Sequence, residues 1–394
     1  MAIATKKLAF LYADTGGGHR ASALAVKQEV EARFGSFVAV ELLDPTKLSR
    51  SPLIRRCDRL YSRCIRRAPW AWAVLFHCTN HRSVVWVLRK TVLRSLTGSL
   101  RTLSRETRFD AIVSFHPLLS DAARRVANDT PGTIAMTVVT DLVEPHASWA
   151  HTGMDATFVP NRSSATAIAR LGVSDKKCHC VGLPVGRHFT ERAASPESII
   201  ATPRFSVLLV GGGEGTGGLH RKAKLILRRC PNVDVRVIAG RNAPLLSKLH
   251  RLSDRYPENL TTAGFVSDMA HWMRSADLVV TKAGPGTIAE ALAIGTPLLI
   301  TGHLRGQERR NPDFVTIGQA GIRARRNRRI IAHIRKCAAD TALIDRFEWS
   351  ARLLARPNAA RDIADKVVQF TSDTGIKSDP ESIHTNQMMN PHNR

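Results

Sequence analysis

Two spacings of apolar residues alternate along this chain. Leu8–Tyr12 is a short apolar run that stops at Asp14-Thr-Gly-Gly-Gly. A run of that length ending in glycines reads as a buried strand and a tight turn. Beyond His19 the period changes, and Ala23, Val26, Val30 and Phe34 share one helical face. Phe37–Leu43 returns to strand character. Strand, turn, helix and strand open a doubly wound α/β domain. Further strands are predicted at Ala111–Phe115, Ile134–Val139 and Ala156–Val159. A second series gives strands at Ser206–Val210, Val233–Ala239, Asp277–Thr281 and Pro297–Thr301, with helices between. The polar stretch Arg192–Pro203, with Ser195-Pro196 and Thr202-Pro203, is the expected linker. The polar tail beyond about Thr371 is expected to be disordered. A chain of 394 residues, 43% hydrophobic, suits two domains that each bury a core.

The stretch Ser49–Arg108 departs from this alternation. It is mostly helical in pattern, and twelve Lys/Arg fall between Arg50 and Arg101 against one acid, Asp58. Trp70, Trp72, Phe76 and Trp86 are interleaved. The whole chain carries a net charge of +25, which attracts nucleic acid, anionic lipid or phosphorylated substrates. Charge alone does not choose among them, and an Arg-rich proteome gives the same number. The seven cysteines form no C-x-x-C pair and no regular spacing, so neither a disulfide framework nor a zinc site is indicated. A reducing setting fits best. No long apolar run precedes Asp14, so no signal peptide is expected. The longest apolar run, Ala68–Phe76, falls well short of the roughly 20 residues of a spanning helix.

Four polar segments carry chemistry. Asp14-Thr-Gly-Gly-Gly-His-Arg20 joins a strand end to a helix start. Its glycines admit a substrate close to the backbone, and His19 has a pKa range suited to taking a hydroxyl proton. A capping turn with a solvated His is the competing reading. Gly211–Gly218 follows a strand and superficially fits G-x-G-x-x-G, but so many glycines fit several registers. No Walker lysine follows. A dinucleotide site also needs an acid after the next strand, where Gly240-Arg241 stands instead. Thr281-Lys-Ala-Gly-Pro-Gly-Thr-Ile-Ala-Glu-Ala291 joins a strand to a helix beginning near Thr287. Gly284, Gly286 and the helix amides make an anion pocket suited to a diphosphate. Lys282 adds charge, Thr287 a hydroxyl, and Glu290 a carboxylate able to accept two ribose hydroxyls. Finally, Gln307 and Glu308, after the next strand, could hydrogen-bond sugar hydroxyls.

Together these segments resemble the monogalactosyldiacylglycerol synthase family of glycosyltransferases, related to the peptidoglycan GlcNAc transferase. The matching stretches run in family order: Asp14–Ser22, His116-Pro117-Leu118, Thr140-Asp141-Leu142 with His146 and Trp149, Gly182-Leu183-Pro184-Val185, Gly211–Gly217, Gly264-Phe265-Val266, Lys282–Ala291 and Gly306-Gln307-Glu308. The resemblance implies an α/β chain of the GT-B fold, two Rossmann-like doubly wound domains facing a cleft. Residues 1–191 would be the acceptor and membrane-binding domain and 204–340 the UDP-sugar domain. Helices over 341–371 and a tail over 372–394 would follow.

The implied reaction is inverting transfer of galactose or glucose from a UDP-sugar to diacylglycerol. His19 would be the base, and Asp14 would orient the loop or the imidazole. Donor residues would be Gly213, Glu214, Phe265, Val266, Lys282, Gly284, Pro285, Gly286, Thr287, Glu290, Gln307 and Glu308, with uracil held near Phe265. The acceptor and membrane set would be Gly17, Gly18, His116, Asp141, His146 and Trp149 with Trp70, Trp72, Trp86, Arg55, Arg56, Arg66 and Arg67. No cofactor and no metal are expected; the chain has no Asp-x-Asp motif. Expected partners are the UDP-sugar, diacylglycerol and anionic lipids of a cytoplasmic membrane face, not nucleic acid. The chain departs from the family in placing Arg309 and Arg310 before Asn311, where Gly usually stands. A UDP-glucuronate or UDP-GlcNAc donor, a polyprenyl-linked acceptor, or a basic nucleic-acid-binding protein are the alternatives.

Overall fold

β1 (Lys6–Leu11) lies between β2 (Val38–Leu43) and β3 (Ala111–Ser114) in a computed structural model, which describes residues 5–15, 17–191 and 204–373. The expected linker over 192–203, Gly16 and the tail beyond 373 lie outside the described residues. α1 (Gly18–Phe34) connects β1 to β2, and five helices intervene before β3. They are α2 (Pro52–Arg55), α3 (Cys57–Arg67), α4 (Pro69–Thr79), α5 (Arg82–Lys90) and α6 (Arg94–Arg105). α7 (Ser120–Asn128), β4 (Ile134–Val138), β5 (Ala156–Val159), α8 (Arg162–Arg170) and β6 (Cys178–Cys180) follow. The sheet is parallel throughout, in the order β2-β1-β3-β4-β5-β6. A parallel sheet is covered on both faces, which is why its strands read as near-continuous apolar runs.

The second sheet repeats the plan. Its elements are β7 (Phe205–Val210), α9 (Leu219–Arg229), β8 (Val233–Ile238), α10 (Ala243–Ser253), β9 (Leu260–Ala263), α11 (Met269–Arg274), β10 (Leu278–Lys282), α12 (Pro285–Ile294), β11 (Leu298–Gly302), α13 (Asn311–Ile317) and β12 (Gly321–Arg323). The order is β12-β11-β10-β7-β8-β9, again parallel. Nine of these strands coincide with predicted ones. The short β6, β9 and β12 were not predicted. Each is an edge strand of three or four residues with half-exposed positions, so none shows an apolar run.

Three helices end the described residues: α14 (Asn327–Ala339), α15 (Thr341–Leu354) and α16 (Ala359–Asp373). α14 and α15 pack on the second lobe, where Ile330, Ile334, Leu343 and Ile344 join its core. α16 returns to the first lobe instead. Its Ile363, Ala364 and Val367 are fully buried against α1 and sheet residues such as Leu8 and Phe10. The lobes also share an apolar seam, since Leu142, Val185 and Phe189 belong to a core centred on α12 and β10.

Candidate active site

In doubly wound sheets ligands bind outside the carboxyl ends of the strands, where strand order reverses. That place is between β1 and β3 in the first sheet and between β7 and β10 in the second. The glycine-rich segments after β1, β7 and β10 fall at these reversal points.

In the first lobe, Gly17 takes φ +83 and α1 starts one residue later, which puts His19 in its first turn. A side chain at Gly18 would meet nothing within 4 Å, so this glycine leaves space open beside the imidazole. His19 Nδ1 lies 2.8 Å from the Thr140 hydroxyl. Burial pushes the His19 pKa down to about 4, with a hydrogen bond to the Phe115 carbonyl opposing. The ring is therefore neutral at neutral pH. His116 stands edge-on, its centroid 4.5 Å away. His116 Nδ1 accepts from the Leu118 N–H, so Nε2 carries the proton and donates to Thr15 Oγ1 at 3.0 Å. Burial holds His116 well below the usual histidine range. Asp14 makes no hydrogen bond to His19, and its Oδ1 is buried without a partner. Thr140, rather than Asp14, holds the imidazole.

Asp141, His146 and Trp149 form one network with the second lobe. Asp141 is buried and accepts from the His146 N–H at 3.2 Å, from Trp149 Nε1 at 2.8 Å and from Gln307 Nε2 at 2.8 Å. Burial raises its pKa, against these three donors. His146 Nε2 lies 3.2 Å from Thr79 Oγ1, and burial lowers its pKa to about 4. His116, Asp141 and Trp149 are interior and present no surface to a membrane.

In the second lobe, α12 begins at Pro285, two residues before the expected Thr287, with Gly284 as its cap. Pro has no N–H, so the Gly286 and Thr287 amides are the donors left without an intrahelical acceptor. Lys282 Nζ pairs with Glu308 Oε1 at 2.6 Å, and both groups stand within 4 Å of the Cβ position of Gly284. Glu308 Oε2 also accepts from the Leu304 N–H at 2.6 Å. The Glu308 carboxylate is thus taken up by Lys282 and its own loop, while Gln307 reaches Asp141. Glu290, one turn into α12, is half-buried, and nothing among the described residues pairs with it. Burial raises its pKa to about 7. The Gly213 carbonyl accepts from the Arg241 N–H at 2.8 Å. The Arg241 guanidinium covers the exposed Phe265 ring at 4.9 Å and lies 3.8 Å from the Cβ position of Gly17. Val266 packs inward with the core.

Among the described residues, three ion pairs cross between the lobes. Arg66 reaches Glu214 at 3.0 Å. Glu144 takes both Arg309 at 3.3 Å and Arg310 at 2.8 Å. Arg66 therefore serves the cleft and not the membrane set in which it was expected. Trp72 leaves that set as well: it turns inward, 4.9 Å edge-on from Tyr61. Trp70 and Trp86 are 65% and 61% exposed, and Arg55, Arg56 and Arg67 are exposed. Thr15 and Thr140 lie in the stretches Asp14–Ser22 and Thr140-Asp141-Leu142 without having been singled out, and Tyr61, Thr79, Glu144 and Arg241 join the site without a sequence signal of their own. A lone Thr or Arg on a helix or loop looks like any solvated residue.

This cleft has known counterparts. Residues 19–185 match the family model described as monogalactosyldiacylglycerol (MGDG) synthase, and residues 206–309 match the glycosyltransferase family 28 C-terminal domain. The chain is 31% identical over 376 residues to a probable monogalactosyldiacylglycerol synthase 2, chloroplastic, of Oryza sativa subsp. japonica, covering 91% of this chain and 80% of the relative. The chain belongs to the monogalactosyldiacylglycerol synthase family. It is accordingly a glycosyltransferase. Solved structures agree on the fold. MurG of Acinetobacter baumannii superposes with a TM-score of 0.63 at 16% identity, covering 92% of this chain and 99% of that one. Anabaena HepE in complex with UDP gives a TM-score of 0.58 at 13% identity, covering 93% and 100%. The two-lobed GT-B architecture is therefore established for this family member.

The depressed histidines make stability depend on pH. His19, His116 and His146 bind protons less readily in the folded chain than near their ordinary 6.5. Their unfolded forms take up protons first as pH falls, so stability is complete above about 6.5 and drains away toward about 4. The thermal unfolding midpoint should fall between pH 7 and pH 5. His116→Gln, which keeps a donor but cannot titrate, should flatten the slope. An equally steep slope in the variant would remove His116 as a contributor.

Proposed function

We propose that this chain transfers a neutral hexose from a UDP-sugar to the hydroxyl of diacylglycerol at a membrane surface, with inversion at the anomeric carbon. His19 takes the proton of the acceptor hydroxyl. The acceptor oxygen bonds to the anomeric carbon from the face opposite UDP, and the bond to the diphosphate breaks with its electron pair leaving on UDP. The observation that carries this reading is His19, neutral, fixed by Thr140 and beside open space at Gly18. Its lone pair is available at neutral pH, and the Phe115 carbonyl favours the protonated ring that the step creates. The free amides of α12 stabilise the departing diphosphate, with Lys282 adding positive charge. Glu290 has no side-chain partner among the described residues, and its carboxylate suits the ribose hydroxyls; Anabaena HepE, of similar fold, was solved with UDP. Arg309 and Arg310 are both engaged by Glu144 of the facing lobe, which favours galactose or glucose over a uronic acid.

Among the described residues no helix is long and apolar enough to cross a membrane. Trp70 and Trp86, with Arg55, Arg56 and Arg67 exposed nearby in sequence, suit peripheral docking on an anionic leaflet.

Three results are expected. His19→Ala should abolish hexose transfer while calorimetry still detects UDP binding; near-normal turnover would remove His19 as the base. Glu290 titrates near pH 7, and a carboxylate accepts hydrogen bonds better than a carboxylic acid. UDP affinity should therefore rise from pH 6 to pH 8 more steeply in the native chain than in Glu290→Gln. Parallel pH profiles would move the ribose contact elsewhere. Replacing Arg55, Arg56 and Arg67 by Gln should weaken flotation with anionic vesicles by roughly 100-fold, at about 1 kcal/mol per basic residue. Unchanged flotation would show the docking face to be misassigned.

A further inference from the structure

The loop that holds Gln307 and Glu308 is shaped by a side chain from the other lobe. Gly306 adopts φ +89, a conformation that favours glycine. The Phe76 ring of α4 occupies the space where a Cβ would stand: Cδ1 is 2.8 Å and Cγ 2.9 Å from that point. Phe76 is buried, and its ring also packs edge-on against His146 at 4.9 Å. The same inner edge of α4 carries Thr79, which meets His146 Nε2, and is followed by Asn80, whose Oδ1 accepts from the Ala147 N–H at 2.6 Å. α4 therefore touches both loops that meet at Asp141 and Gln307. In contrast, the α12 amides and Glu290 belong wholly to the second lobe. The α12 amides and Glu290 can form without α4, whereas Gly306 and Gln307 lean on it; Glu308 stays tied to Lys282 and the Leu304 N–H inside the second lobe.

We propose that Phe76 is a positioning residue for the transferred sugar: it wedges against Gly306 and sets where Gln307 stands. This rests on the reading that the 306–308 loop faces the hexose of the donor. Removing the ring lets the loop relax, so the sugar is seated less well for attack while the nucleotide is held as before. Phe76 touches no reacting atom in this account; it acts through Gly306.

The test uses the full-length chain, with UDP-galactose and UDP-glucose as donors and diacylglycerol in anionic vesicles. Phe76→Ala should lower kcat at least 10-fold while the Kd for UDP, by calorimetry, stays within about twofold. Phe76→Leu, which restores much of the apolar volume, should recover most of the rate. Gly306→Ala should be severely impaired alone, and its further penalty should shrink in the Phe76→Ala background, because the ring it collides with is gone. Equal losses of UDP affinity and kcat in Phe76→Ala, no loss of kcat, or strictly additive penalties in the double variant would each overturn the positioning role. A native chain that transfers neither hexose would overturn the functional reading, and this proposal with it.

Discussion

A carboxylate taken out of water without a cation beside it must be satisfied by N–H donors. Asp141 has three: the backbone of His146, the indole of Trp149 and the amide of Gln307. Two donors come from its own loop and one from the facing lobe. The single buried group thus folds the 140–149 loop into shape and pins the 306–308 loop of the other lobe to it. Much of the cleft depends on this arrangement. Trp149, held by Asp141, stands 6.0 Å from His19 and forms part of the wall behind it. Gln307, held by Asp141, sits beside Glu308, which in turn fixes Lys282 at the cap of α12.

The charges around the cleft are distributed unevenly, and burial is the reason. On one side three imidazoles are kept neutral by loss of water. On the other a carboxylate, Glu290, is raised toward neutrality with no partner, next to helix amides that have no acceptor. Polar groups left unmatched in a folded chain are costly, and such cost is commonly found where a ligand completes the set. Lys282 and Glu308 pair within the second lobe, and other charges pair across the cleft: Arg66 with Glu214, and Glu144 with Arg309 and Arg310. These exposed bridges are weak individually. They suit surfaces that separate and meet again better than a permanent seam does.

The sequence made the two doubly wound sheets legible because parallel strands are buried on both faces and read as apolar runs between glycine turns. The edge strands β6, β9 and β12 stayed hidden, since a half-exposed strand of three or four residues carries no such pattern. The glycine turns announced where ligands approach the backbone, and His19, Lys282 and Glu290 stand at those turns. The partners of those residues were less visible. Thr140 holds His19 from a distant loop, and Glu144 engages two arginines that looked available. Composition alone joined Trp72 and Arg66 to the lipid-facing group; their direction is set by the packing of α3 and α4, which a count of aromatics and arginines does not reveal. The return of α16 to the first lobe had no local signal either, because an amphipathic helix does not state which core it will cover.

That return has a mechanical consequence. The chain leaves the first lobe through residues 182–189 and comes back at Arg356 and Ala359. The two passages touch: a side chain on Gly182 would lie 2.5 Å from the Arg356 Cβ and 2.8 Å from the Ala359 Cβ. Gly182, at φ +109, is the residue that lets them cross so closely. A body tied to another by one thread can spin about it. Two threads side by side along one edge hold the bodies at two points, which restricts that spin.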